Sequence, residues 1–172
     1  MDALLATLFP EDGENTYAVI DGASCEELLD KIGEFSPEYF CLYAGEIEPD
    51  VAEVAPYLVA LKAGHPFTEW FLANGLGRHW GIFARSPADL RTLRRHFRGF
   101  LMVRDPEGKQ LYFRYYDPRV LRVYLPTCNP EETRYIFGPV MTLLTEGEDA
   151  TVAISWKHEA GTINSTRVSV QD

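Results

Sequence analysis

Four arginines, Arg91, Arg94, Arg95 and Arg98, fall three, four and seven residues apart, a spacing that gathers them on one stripe of a helix. A second basic group follows in "RYYDPRVLRVYLP", residues 114–126, where Arg114, Arg119 and Arg122 stand among Tyr115, Tyr116 and Tyr124 around Asp117-Pro118. Guanidinium groups form forked hydrogen bonds with carboxylates and phosphates, and Arg and Tyr are favoured at interface hot spots. The chemistry open to these residues is recognition of a phosphate backbone or of an acidic protein face. A compact strand-to-helix corner is the alternative for the second group, with Arg119 and Arg122 on one face of a short helix and a tyrosine edge left over for a partner.

The surrounding charge narrows the choice. The 172-residue chain has a net charge of -10. Residues 1–84 sum to -12, residues 85–122 to +6 and residues 123–172 to -4. Such segregation can orient an encounter with a complementary partner, or the two halves can neutralise each other within one fold. A sequence pI near 4.8 argues against a nucleic-acid partner, whose phosphates the acidic half would repel. No apolar run is long enough to span a bilayer, and the N-terminus has no basic residue before Lys31, unlike a secretory signal. With three widely spaced cysteines, Cys25, Cys41 and Cys128, the expectation is reduced thiols in a cytoplasmic protein.

Other chemistries find no support. His65, His79, His96 and His158 have no metal-ligand spacing among themselves or with cysteine. "GLGRHWG" precedes a strand and has its third glycine one residue late, so it is not a dinucleotide fingerprint. There is no phosphate loop and no Gly-x-Ser-x-Gly elbow. Neighbouring carboxylates such as Glu26-Glu27 and Glu131-Glu132 point apart on a helix. No catalytic residue, cofactor or metal is expected.

The elements that must position the arginines can be read from periodicity. Residues 2–9 suit a short helix ending at Pro10, and Tyr17–Ile20 a buried strand. Ser24 with Glu27 has the form of a capping box opening a helix. "YFCLYAG", "PYLVAL" and "WGIFA" read as strands, with "PFTEWFLANG" a helix between the last two, stopped by Gly75. Ser86 and Asp89 frame the arginine helix, with Pro87 at its first position and Leu90, Leu93 and Phe97 on its apolar face. "FLMVR" and "QLYFRYY" read as a hairpin turned by "DPEGK", where Pro106 and Gly108 suit the turn. Alternation along the second strand sends Leu111, Phe113 and Tyr115 to one side and Tyr112, Arg114 and Tyr116 to the other. Asp117 caps a helix begun by Pro118, and Asn129-Pro130 starts another. "FGPVMTLL" and "ATVAISW" complete the strands, and the last ten residues are expected to fray. The fold class is α/β, or α+β, a single compact domain of a mixed sheet with helices packed on it. Residues 1–140 form the core and 141–172 a short C-terminal hairpin and tail.

Together "YAVIDGA", "APYLVAL", "WGIFARSPADLRTLRRHFRGFLMVRDPEGKQLYFRYYDPRVLRVYLP" and "IFGPV" resemble the type VI secretion effector adaptors, the Tap proteins that carry the domain of unknown function 4123. The resemblance runs in order from Tyr17 to Val140, and "LYFRYYDPRVL" is its most specific block. It implies a cytoplasmic, chaperone-like adaptor without enzymatic activity or cofactor. Its partners would be a secreted effector protein and the VgrG spike. It places Trp80, Arg114, Tyr115, Asp117 and Pro118 in a shared structural core. Arg91, Arg94, Arg95, Arg98, Tyr116, Arg119 and Arg122 then become the candidate protein-binding residues. Many such relatives carry a longer C-terminal lobe; if that lobe reads the effector, the expectation here is a smaller reading surface or a simpler effector. A small hydrolase or transferase with an unrecognised site is the other class to be weighed.

Overall fold

A computed structural model describes residues 1–171 apart from Asp12 and Pro106. At its centre lies β1 (Asn15–Asp21), buried from Thr16 to Asp21. Its side chains alternate between two cores: Tyr17 and Val19 enter one, Ala18 and Ile20 the other. An uninterrupted apolar run suits a strand covered on both faces. β2 (Tyr39–Cys41), β3 (Pro56–Leu61) and β4 (Gly81–Ser86) join it, then β7 (Thr142–Glu146), β8 (Val152–Glu159) and β9 (Thr162–Ser169), in the order β2-β3-β1-β4-β7-β8-β9. A separate two-stranded ribbon pairs β5 (Met102–Arg104) with β6 (Gln110–Tyr112).

Every described pairing is antiparallel, although the sequence alternates strands with helices. The crossovers explain why. β1 passes through α2 (Leu28–Phe35) to β2 and skips β3, while β3 passes through α4 (Pro66–Gly75) to β4 and skips β1. Each helix therefore joins parallel strands that have an antiparallel one between them, a split form of the strand–helix–strand unit. The expected sheet with packed helices is present, in its α+β form.

Helices cover both faces. α1 (Asp2–Leu8), α2 and α4 pack Leu4, Leu8, Leu28, Ile32, Phe67 and Phe71 against one side. On the other side α5 (Leu90–Arg98), α6 (Pro118–Tyr124) and α7 (Pro130–Phe137) contribute Leu93, Phe97, Leu121, Ile136 and Phe137. This second layer, with the ribbon, is one long excursion between the neighbouring strands β4 and β7. Beyond residue 141 the chain continues the same sheet through β7, β8 and β9.

Several sequence expectations need correction. Ser24 does not cap α2: its hydroxyl donates to Asp21 Oδ2 at 2.8 Å, which spends it in a turn, and the helix starts at Leu28. Ser86 belongs to β4, where its hydroxyl donates to the Pro139 carbonyl at 2.6 Å and accepts from Ala88 N–H. Asp89 alone caps α5, so Pro87 lies outside that helix. A helix not anticipated, α3 (Pro49–Val54), precedes β3 and buries no residue; at six residues it is too short to show a helical period in the sequence. The polar C-terminus forms β9 rather than fraying. Gly108 has the expected positive φ of 82° in the ribbon turn; its neighbour Pro106 lies outside the described residues.

Candidate protein-docking surface

The arginine stripe rests on a well-anchored helix. Asp89 accepts from Thr92 N–H at 2.7 Å, bonds that hold its carboxyl below the usual value. Leu93 and Phe97 are fully buried beneath α5. His96 ties its C-terminal turn to α7: Nε2 donates to the Ile136 carbonyl at 3.0 Å, and the ring stands edge-on to Phe100 at 4.7 Å. A Cβ at Gly138 would lie 2.4 Å from His96 Cε1, and Gly138 also has a φ of 48°. Glycine is therefore required in "IFGPV" both by backbone and by space. Burial lowers the His96 pKa, outweighing the bond to Ile136.

With α5 so fixed, Arg91, Arg94, Arg95 and Arg98 line one shallow surface depression of about 300 Å³. Among the described residues none of the four has a carboxylate within salt-bridge distance, and Asp89 attracts Arg91 and Arg95 only from farther off. Arg94 instead lies over the Phe40 ring, 4.6 Å from its centroid, a cation–π contact. Its Nε is buried without a hydrogen-bond partner. Arg98 also borders a second, mostly apolar groove of about 410 Å³, which includes Tyr43, Ile47, Val51, Met102 and Tyr112. Tyr43 and Tyr112, edge-on at 6.0 Å, border in turn a smaller pocket of about 250 Å³ with Asp21, Arg114 and Tyr116.

The corner at residues 114–122 is occupied with its own structure. Asp117 accepts from Arg119 N–H at 2.9 Å and pairs with both ends of the Arg119 guanidinium at 3.0 and 2.7 Å. Burial pushes this carboxyl up, but the bonds from the Arg119 side chain and backbone outweigh it and hold it below its ordinary value. Arg114 pairs with the buried Asp21, whose carboxylate also accepts from Ser24 and Ala23. Tyr115 is fully buried, stacks on Phe97 at 5.8 Å and donates to the Phe97 carbonyl at 2.9 Å. The corner thus locks α5 and β1 to one another.

Tyr116, expected at the surface, is buried. Strand pairing stops at Tyr112, so alternation does not continue to residue 116. Arg122 donates to the Glu146 carbonyl at 2.7 Å. Trp80 is a core residue, 5.5 Å from Trp70 and 6.3 Å from Phe71 between ring centroids. The structure brings the four α5 arginines together and separates Tyr116, Arg119 and Arg122 from them by giving each a local partner or burial. Sequence reasoning missed Asp21 and the groove residues Tyr43, Val51 and Tyr112. Their scattered positions in the chain carry no common period.

His79 also has a structural place. Its backbone N–H donates to Glu146 Oε2 at 3.1 Å; Nδ1 lies 2.9 Å from that oxygen but makes no directed bond. Burial raises the Glu146 pKa against the bonds from His79 and Gly77. Among the described residues no group of three or more His, Cys, Asp or Glu could hold a metal ion. No helix among them is long and apolar enough to cross a membrane.

A three-layer α+β domain with an arginine-rich helix, free of salt bridges among the described residues, beside an open apolar groove is the class this geometry defines. Within it, the family described as a domain of unknown function, DUF4123, matches residues 16–135. The chain belongs to that family. No curated protein and no solved structure matches.

Proposed function

We propose that the protein is a cytoplasmic adaptor that binds a type VI secretion effector and helps load it onto the VgrG spike. The observation that carries this reading is the α5 stripe: four arginines that form no salt bridge among the described residues, in a protein of net charge -10. A stripe serving only internal neutralisation would be paired with the acidic half. An unpaired one favours association with an acidic partner, chiefly through the encounter rate. Family membership and the resemblance of the "LYFRYYDPRVL" block to effector adaptors supply the partner class.

Co-expression with the effector and spike proteins encoded nearby tests it. A stoichiometric complex is expected. Arg91→Glu with Arg95→Glu, the two exposed members of the stripe, should leave the melting curve nearly unchanged and weaken capture, more at low than at high salt. Normal binding at both salt concentrations would remove α5 as the docking element.

A further inference from the structure

We infer that the groove between α3 and the β5–β6 ribbon holds one segment of the effector, an apolar stretch edged along one side by Asp or Glu; this rests on the adaptor reading above. Both walls carry apolar side chains that the fold does not use. α3 buries no residue, yet Val51 and Val54 are 38% and 47% exposed. All six ribbon residues are exposed, yet Met102 and Tyr112 stand at 42% and 56%. Met102 and Tyr112 are cross-strand partners, so they present one face together, and both border the groove. Neighbouring exposed apolar side chains of this kind mark interaction sites.

Charge decides what lies there. Arg98 joins the groove to the arginine stripe, and Arg104 shares the β5 face of Met102 by alternation. From α3 the groove receives Val51 and no carboxylate, and Arg98 is the charged residue among its described lining. A bound segment therefore meets cations on its ribbon side, where acidic residues are attracted.

The test uses the full chain co-expressed with its effector, with the photoreactive p-benzoylphenylalanine introduced at Tyr112 in the groove or at Thr166 on the far sheet edge. Crosslinking from position 112 and not from 166, to an apolar effector segment flanked by Asp or Glu, is the expected result. In parallel, Met102→Ser with Tyr112→Ser should lower affinity about tenfold with an unchanged melt. An intact complex that crosslinks only from position 166, or from 112 to a segment flanked by Lys and Arg, overturns the inference and leaves the adaptor function standing. Absence of any complex with the unmodified chain overturns the adaptor reading, and this inference with it.

Discussion

Replacing Asp117 separates two roles that one carboxylate plays. As N-cap of α6 it accepts the Arg119 N–H, and as an ion it pairs with the Arg119 guanidinium. Loss of an N-cap costs about 1 kcal/mol. The Arg119 side chain is 55% exposed, so solvent screening limits the ion pair to about 0.5 kcal/mol. Asp117→Ala should therefore cost about 1.5 kcal/mol, the sum of the two. Asp117→Asn keeps a good cap and loses the charge, so it should cost about 0.5 kcal/mol, as should Arg119→Ala. For a domain of this length each kcal/mol lowers Tm by about 2–4 °C. Urea and thermal melts of the three variants read the order directly. Equal losses in Asp117→Ala and Asp117→Asn would refute the reasoning, because charge and not capping would then carry the stability. The folded pKa is depressed, so this contribution is present above the unfolded value near 4 and lost as pH falls through the folded one.

His96 makes stability depend on pH in a higher window. Its pKa is lowered by burial, so stability should fall once pH drops below the unfolded value near 6.5. His96→Gln should flatten the Tm profile below about pH 6.5; an unchanged slope would clear His96. Gly22→Ala should destabilise by about 1–3 kcal/mol, because its Cβ would lie 2.5 Å from the Glu53 carbonyl oxygen at the end of α3. Gly33→Ala, in open space within α2, should instead stabilise by about 0.5–1 kcal/mol, and urea melts compare the pair. Burial pushes the Cys25 thiol up to about 12. In thiol titration of the native protein, Cys25 should therefore react after the half-buried Cys41 and Cys128, and only on unfolding.

What sequence patterns revealed follows from how strongly each element is committed to a core. β3, α4 and β4 were legible because their apolar runs and proline or glycine boundaries agree with burial. The Asp117 and Asn129 caps were legible because proline follows each directly. Ser24 and Ser86 misled because a hydroxyl has more than one use, and each is spent on a tertiary contact, with Asp21 and Pro139. α3 and β9 were missed because their faces are mostly solvent-exposed. The arginine stripe was visible as helical spacing, but its lack of salt bridges among the described residues is a three-dimensional property. The groove was not visible at all, since it joins Tyr43, Val51 and Tyr112 only once α3 and the ribbon stand opposite one another.

The excursion from β4 to β7 has a consequence for how such a protein can vary. Its two ends are clamped together in the sheet, where Arg85 faces Thr142 and Met141 N–H donates to the Arg85 carbonyl at 2.9 Å. The layer bearing α5, the ribbon, α6 and α7 is a closed loop on a sheet that does not need its length to be fixed. Loop-closure entropy rises only logarithmically, by about 0.6 kcal/mol for each doubling of length. Residues can be added at the ribbon tip, beyond Arg104 and Gln110, without altering strand order or register elsewhere. A change in the exposed apolar face is thus accommodated by rewriting the ribbon, while the sheet beneath keeps the same sequence constraints.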